Sequence, residues 1–219
     1  MKDLLLIHAQ SPEQIHYDQG GEIVVYDTTH PDENITRTIT VSNNTRLIWY
    51  GLSQWTGSYS VHFSTDSSEC HIRFLLLSAQ WEKLSVNVTS ALRQSNTITD
   101  IHILSLVGYD GIIELNGTVQ IDAGIAKVKG HILEENIFLG SKGNIRGIPS
   151  LLVHSDDVEA GHAARIERVS DEKLYYLRSR GVPKDDATVM MIKSSVAGLL
   201  QGLDDKYQDE VMKKVSKMF

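Results

Sequence analysis

A long series of short, strand-like runs dominates most of the sequence. The runs are rich in Val, Ile, Thr and aromatic residues, and the breaks between them contain Gly, Asn, Asp or Ser. No stretch between residues 21 and 160 holds a helical apolar stripe long enough for a crossover helix, which excludes the doubly wound and barrel α/β folds. The sequence therefore predicts a mainly β protein with strands at 22–28, 37–41, 45–50, 58–64, 71–78, 83–89, 96–106, 111–121, 126–132, 136–139 and 150–154.

Two all-β architectures are compatible with these runs. A sandwich would join neighbouring strands through tight hairpins, for which Asp110-Gly111 and Asn116-Gly117 are candidate turns. A β-helix would instead stack short strands as successive coils, and the regular spacing of the strands suits that arrangement as well. No repeated motif decides between the two.

The last fifty or so residues have a different periodicity, with apolar residues at helical spacing. Ser170 is placed to cap a first helix that ends at Arg180-Gly181, and Pro183 suits the first turn of a second helix. Asp204 can cap a third helix. The second helix would pack through residues that include both Met190 and Met191, and the three helices are too short to hold a core alone, so they must pack on the sheet or on a partner.

Charge and cysteine content exclude several classes of function. The net charge of −7 disfavours nucleic acid or an anionic membrane as the main partner. The apolar run near the start, residues 4–7, is too short for a signal-peptide core or a membrane span. The single cysteine, Cys70, excludes an intramolecular disulfide, so the expected compartment is the reducing cytoplasm.

One dense group of potential metal ligands occurs where the strands give way to helices. His154, Asp156, Asp157 and His162 could bind a divalent metal or iron at a strand end. The alternative interpretation is a polar strand-to-loop transition in which the acids cap backbone donors. Spacing alone favours this second interpretation.

Other chemically interesting side chains have ordinary interpretations too. Cys70 precedes His71, but neighbours in a strand point to opposite faces, so a buried structural cysteine is expected. A group of aromatic residues could provide stacking faces for a carbohydrate or another small ligand, or could pack within the sheet: Trp49, Tyr50, Trp55, Tyr59 and Trp81.

The order of motifs from residue 110 to residue 200 resembles the SufB/SufD family of the SUF iron–sulfur cluster assembly system. The resemblance is carried by a strand with an internal glycine, an apolar strand, a proline that leads into an acidic strand, a histidine among small residues, a tyrosine-rich helix and an Arg-Gly turn. In this chain the matching residues are Leu115-Asn116-Gly117-Thr118-Val119, Asn136-Ile137-Phe138-Leu139, Pro149, Leu151-Leu152-Val153-His154-Ser155-Asp156-Asp157-Val158, Gly161-His162-Ala163, Leu174-Tyr175-Tyr176-Leu177-Arg178-Ser179-Arg180-Gly181-Val182, Asp186-Ala187 and Met191-Ile192.

The resemblance implies a right-handed β-helix core at 21–166, preceded by an N-terminal segment at 1–20 and followed by a small helical subdomain at 167–219. It implies a non-enzymatic scaffold whose helices bind SufC, an ABC-type ATPase, and whose β-helix pairs with a SufB-like protein or with a second copy. No stably bound cofactor is expected, and a transient iron–sulfur cluster could form at the dimer interface.

The resemblance also assigns roles to residues. His162 falls on the family's histidine at the pairing region, where a neutral imidazole could ligate iron or relay protons. Partner binding falls on Arg180, Gly181, Asp186, Met191 and Ile192. The chain departs from the family in having Ala160-Gly161 where SufD-like members often have Cys-Ser, and Ala163 where SufB-like members have glutamate. These departures imply a reduced SufD-like partner or a minimal homodimeric scaffold.

Overall fold

The protein is built from strands that precede a short series of helices. The computed structural model describes residues 3–29, 34–54, 56–140, 142–169 and 171–219. Its strands are β1 (Asp3–Ile7), β2 (Gln14–Tyr17), β3 (Gly21–Asp27), β4 (Ile35–Val41), β5 (Thr45–Gln54), β6 (Gly57–Thr65), β7 (Glu69–Ser78), β8 (Lys83–Leu92), β9 (Ile98–Val107), β10 (Ile112–Ile121), β11 (Val128–Phe138), β12 (Asn144–Gly147), β13 (Ser150–Val153) and β14 (Val158–Arg168). The helices are α1 (Asp171–Ser179), α2 (Lys184–Leu199) and α3 (Asp205–Ser216).

The strands form two parallel sheets, and the chain passes from one sheet to the other between successive strands from β1 to β11. The first sheet has the order β1-β3-β5-β7-β9-β11-β14, and the second has the order β12-β10-β8-β6-β4-β2, with β13 also paired to β10. Every strand pairing within the described residues is parallel. The predicted mainly β class is confirmed, and the antiparallel sandwich is excluded because its hairpins need antiparallel neighbours.

An apolar inner core fills the space between the two sheets. Alternate residues of each strand point inward, as in β8, where Leu84, Val86 and Val88 are fully buried. Trp49 of the first sheet meets Phe63 of the second edge-to-face, with ring centroids 5.3 Å apart. Because both sheets bury one face against each other, the inner core runs along the whole double sheet.

The helices cover the outer face of the first sheet and enclose a second, outer core there. Ile192, Val196 and Leu199 of α2 pack with outward-facing strand residues such as Leu75 and Leu104. The Tyr50 hydroxyl donates a hydrogen bond to the Gln201 carbonyl oxygen at 2.7 Å. The C-terminal helices are therefore confirmed, and they pack on the sheet as the sequence requires.

The helix ends agree with the sequence signals wherever the structure describes them. The Asp204 carboxylate accepts a hydrogen bond from the backbone N–H of Lys206 at 3.0 Å, which is the predicted cap of α3. Pro183 is the residue immediately before α2, and Gly181 has the positive φ of +85° expected after a helix. The predicted cap at Ser170 lies outside the described residues. Met190, expected to pack, is 52% exposed because it lies on the outward face of α2.

The strand predictions differ from the structure in several places. β12 and β14 are strands where none was predicted, and β11 is one continuous strand where a break was expected between residues 132 and 136. Residues 1–20 contain β1 and β2, which pair with β3 and β4 at one end of the two sheets. A buried Arg37 holds the connection between β1 and β2, donating hydrogen bonds to carbonyl oxygens that include those of His8, Ser11 and Pro12.

Candidate functional site

The end of the double sheet opposite β1 and β2 carries the candidate site. β14 is the last strand of the first sheet, and β12 and β13 lie at the corresponding edge of the second. His162 is paired in register with Ile132, whose side chain faces the inner core, so the imidazole lies on the same side of the sheet. The His162 ring is exposed, and its Nδ1 lies 3.1 Å from the carbonyl oxygen of Pro149. This contact links the edge of the first sheet to the connection between β12 and β13.

The contact with Pro149 has a chemical consequence for the His162 ring. A carbonyl oxygen only accepts hydrogen bonds, so the contact is a hydrogen bond when Nδ1 carries a proton. In the neutral ring, Nε2 then keeps its lone pair and can accept a proton or bind a metal ion. The Pro149 carbonyl thus favours the neutral His162 tautomer with the proton on Nδ1, which leaves Nε2 free to bind a metal ion or accept a proton.

The predicted metal group is not assembled within one chain. His154, Asp156 and Asp157 are exposed in the connection between β13 and β14. No group of three or more His, Cys, Asp or Glu side chains among the described residues is arranged to hold a metal ion. Ser155 organises the connection instead, since its hydroxyl accepts from the Ile125 N–H at 3.1 Å and donates to the Asp122 carbonyl at 2.8 Å.

A buried carboxyl group, which the sequence analysis missed, lies one strand away from the site. Glu134 of β11 is 1% exposed, points toward the inner core and is paired in register with Ala164 of β14. Burial raises its pKa to about 7, and a backbone hydrogen bond with Gly117 opposes that shift. Its Oε1 has no hydrogen-bond partner among the described residues. The alternation of apolar residues along β11 would have placed Glu134 inside, had the strand been recognised as continuous.

Gly117 makes room for this carboxyl group. A Cβ at position 117 would clash with Ile132 Cδ1 and lie 2.8 Å from Glu134 Oε1. Asn116-Gly117 is therefore part of β10 and not a hairpin turn. The glycine is needed because a side chain from the facing strand occupies its space.

The outer face of the same edge carries a ladder of ion pairs. Lys129 Nζ lies 2.7 Å from Glu159 Oε2, and Arg165 Nη2 lies 2.9 Å from Glu135 Oε1. The Lys129 contacts hold the pKa of Glu159 below its usual value. Glu159 and Arg165 are exposed, so each charge is also accessible from the side of β14 that faces away from β11.

The predicted partner-binding residues divide into surface and interior positions. Arg180, Gly181 and Asp186 are exposed, whereas Met191 is half-buried in a groove lined by Glu172, Tyr176 and Leu177. Ile192 is 1% exposed and packs in the outer core, so its side chain can position α2 but is not presented to a partner.

Two tyrosines of α1 extend this helical surface ahead of the Arg180-Gly181 turn. Tyr175 and Tyr176 are exposed, and the Arg180 guanidinium lies 5.2 Å from the centre of the Tyr176 ring. The combination of exposed aromatic rings and an arginine is typical of a protein-binding surface.

Most of the candidate stacking aromatics belong to the cores. Trp49, Tyr50 and Tyr59 are buried, Trp81 is exposed, and Trp55 lies outside the described residues. Cys70 is also buried, as expected, and burial raises the pKa of its thiol well above the usual value. The four aromatic residues that the structure describes in this set do not form an exposed aromatic face.

Comparison with known proteins identifies the family. The model of the SUF system FeS cluster assembly SufBD core domain matches residues 15–195. The chain belongs to the SufBD family.

Curated relatives carry the same family names. The chain is 29% identical over 114 residues to the iron–sulfur cluster assembly protein SufD of Escherichia coli, which covers 52% of this chain and 27% of that protein. It is 38% identical over 88 residues to SufD of Bacillus subtilis, covering 40% of this chain and 20% of that protein. A SufBD family protein of Pyrococcus horikoshii is 32% identical over 94 residues, covering 43% of this chain and 21% of that protein.

The matched regions span about a fifth to a quarter of these relatives. Among the described residues, none of the helices is long and apolar enough to cross a membrane.

Proposed function

We propose that this SufBD family protein is a scaffold subunit of the SUF iron–sulfur cluster assembly system. It pairs with a SufB-like protein or a second copy through the end of its double sheet, and its C-terminal helices bind a SufC-type ABC ATPase. The observation that carries the proposal is the match of the SufBD core model over residues 15–195. In this proposal the protein acts in the cytoplasm as a scaffold and not as an enzyme, and its partner hydrolyses ATP.

The fold supports the pairing part of the proposal. Successive parallel strands alternate between two sheets, which is the path of a β-helix, and we propose that its hand is right-handed. The sheets end at β14 on one side and at β12 and β13 on the other. His162 at this end could ligate iron or relay protons while a transient cluster forms between two subunits.

The helical surface supports the ATPase part of the proposal. Tyr176 lines the groove that contains Met191, and the Arg180 guanidinium lies over the Tyr176 ring. Tyr175 and Asp186 are exposed on α1 and α2. An exposed apolar surface with a polar rim is typical of a protein interface. The sequence has no phosphate-binding glycine loop, which fits ATP hydrolysis by the partner.

A binding experiment with point variants tests this docking surface. Arg180→Glu and Asp186→Lys each reverse an exposed charge at a proposed partner-binding position and should weaken binding to a purified SufC-type ATPase about tenfold or more, measured by calorimetry. Lys213→Glu, a charge reversal on the exposed side of α3, serves as the matched control and should bind as the parent chain does. Absence of binding by the parent chain, or unchanged affinity in both variants, would contradict the docking proposal.

Point variants are preferable to deletion of residues 183–219. The deletion would remove α2 and α3 and uncover the outer core, including Leu75 and Leu104. Loss of ATPase binding after such a deletion would therefore not distinguish a lost interface from a misfolded sheet.

A further inference from the structure

Glu134 is a buried carboxyl group to which the proposed function assigns no role. Its side chain is 1% exposed, and its Oε1 has no hydrogen-bond partner among the residues that the structure describes. None of the ion pairs in the described part of the chain involves Glu134. Buried charges in proteins are generally paired or coordinate metal ions, so Glu134 is a candidate metal ligand.

Glu134 and His162 lie on the same inner face of neighbouring strands. In the pairing of β11 with β14, Ile132 is in register with His162, and Glu134 is in register with Ala164. Glu134 and His162 are therefore diagonal neighbours across the last two strands of the first sheet. A Cβ on Gly117 would clash with Ile132 and would lie 2.8 Å from Glu134 Oε1. The carboxyl group thus leans toward the row that contains Ile132 and His162.

The second sheet faces both side chains with two neighbouring backbone positions. β10 has the same residue offset to β12 and to β13, so Pro149 lies beside Gly117, one strand further along. Glu134 Oε1 lies over Gly117, and His162 Nδ1 lies 3.1 Å from the carbonyl oxygen of Pro149. Because neighbouring strands are about 4.8 Å apart, about one strand spacing separates the carboxyl group from the imidazole ring.

We propose that Glu134 is a second protein ligand, together with His162 of the same chain, for an iron ion that is delivered to the assembly site. The inference rests on the proposed role of His162 and adds a residue to it. The His162 ring keeps Nε2 available when Nδ1 is bonded to Pro149, and Glu134 supplies an unpartnered oxygen. Imidazole and carboxylate groups are both usual ligands of ferrous iron. Two side chains leave the other coordination positions to water, sulfide or a second subunit.

The end of the double sheet gives an ion access to both groups. β14 is the last strand of the first sheet, and the residue that it places next to Glu134 is Ala164. The small alanine side chain leaves the Glu134 carboxyl group within reach of an ion at the exposed His162 ring after rotation about its χ angles. Burial raises the pKa of Glu134 to about 7, and a bound cation would stabilise the ionised form that burial disfavours.

A metal titration of the whole chain tests the assigned ligand. The probe is Co²⁺, which binds the same nitrogen and oxygen ligands as ferrous iron and is measured by calorimetry and visible absorption at pH 8. Glu134→Gln and His162→Ala should each weaken Co²⁺ binding at least about tenfold, because each removes one of two ligands. Glu135→Gln is the matched control. This neighbouring carboxylate points outward to Arg165, so its loss should leave the affinity unchanged.

A combined variant shows whether both residues bind the same ion. One remaining ligand should hold Co²⁺ no better than the exposed histidines elsewhere on the surface. Glu134→Gln with His162→Ala should therefore bind at most about threefold more weakly than the weaker single variant. Two independent sites would instead give losses that add.

Thermal unfolding separates a ligand from a side chain that only packs. A metal that binds the folded state raises its stability, so saturating Co²⁺ should raise the Tm of the parent chain and of Glu135→Gln. Glu134→Gln keeps the shape of the side chain and should fold without metal, but Co²⁺ should not raise its Tm. Ferrous iron under anaerobic conditions should give the same order of variants.

Several outcomes would overturn the inference. They are a parent chain that does not bind Co²⁺, a Glu134→Gln variant that binds it as tightly as the parent, and losses that add in the combined variant. If only His162→Ala weakens binding, the proposed role of His162 stands and Glu134 is a structural carboxyl group. ATPase binding is measured at the helical surface, so its loss or retention reports separately on the proposed scaffold function.

Discussion

At the scale of single residues, Glu134 is unusual because its carboxyl group is buried and its pKa is raised. A carboxyl group with a pKa raised from 4.5 to about 7 binds its proton more tightly in the folded protein than in the unfolded chain. The free energy of unfolding should therefore fall as the pH rises from the unfolded pKa of 4.5 to the folded pKa of about 7. Above the folded pKa, this contribution to stability is lost in full. The shift corresponds to a loss of about 3 kcal/mol.

Glu134→Gln should remove this pH dependence while keeping the shape of the side chain. We expect the variant to be more stable than the parent chain at pH 8 and of similar stability near pH 4, measured by urea unfolding at both values. Glu135→Gln is the matched control, because that side chain points outward to His102 and Arg165 and its loss should not produce stabilisation at pH 8. Equal destabilisation by Glu134→Gln at both pH values would contradict the assigned cause.

At the scale of secondary-structure elements, α2 acts as a cover for the first sheet. One face of this helix packs against the outer core, and the other face is exposed. The helix therefore contributes to stability through specific buried side chains, and its exposed side chains remain available to a partner.

Two substitutions on α2 separate these contributions. Leu199 is 2% exposed, so Leu199→Ala should leave a cavity in the outer core and lower the free energy of unfolding by about 2–5 kcal/mol. Met190→Ala truncates an exposed side chain on the same helix and should change the free energy of unfolding by about 0.5 kcal/mol or less. Urea unfolding of both variants checks the difference, and similar losses would show that the helix does not pack on the sheet as described.

The strands differ in how well they could be predicted from the sequence. Strands such as β8 and β10 alternate large apolar residues with polar ones, so their inward faces are visible in the sequence. β14 has mostly exposed small and charged residues, and its strand conformation depends on pairing with β11. Glu134 and Asn136 are polar, so in the sequence they look like a break between two strands. In the structure both side chains are buried within the continuous β11.

The candidate site was predictable only in part, for a related reason. The position of His162 followed from the order of motifs around it, but its contact with Pro149 depends on how two sheet edges meet. The acids at 156 and 157 lie close to His162 in sequence, yet the direction of β14 leaves them in the preceding connection and not at a shared metal site. Spacing along the chain gives no information about this separation.

At the scale of the whole molecule, cluster formation should require the paired protein. In the proposed scaffold function, two subunits pair at the end of the double sheet, so His162 of one subunit would lie near the second subunit. Sulfur ligands would have to come from sulfide or an added thiol, because the buried Cys70 is not accessible from this end. A cluster bound in this way should be weakly held.

Anaerobic reconstitution with ferrous iron, sulfide and a thiol should therefore give visible absorption with the parent chain that decreases on desalting. His162→Ala should lower the initial absorption several-fold, because the nitrogen ligands are lost. If His162→Ala gives the full parent signal, His162 is not a ligand of the cluster.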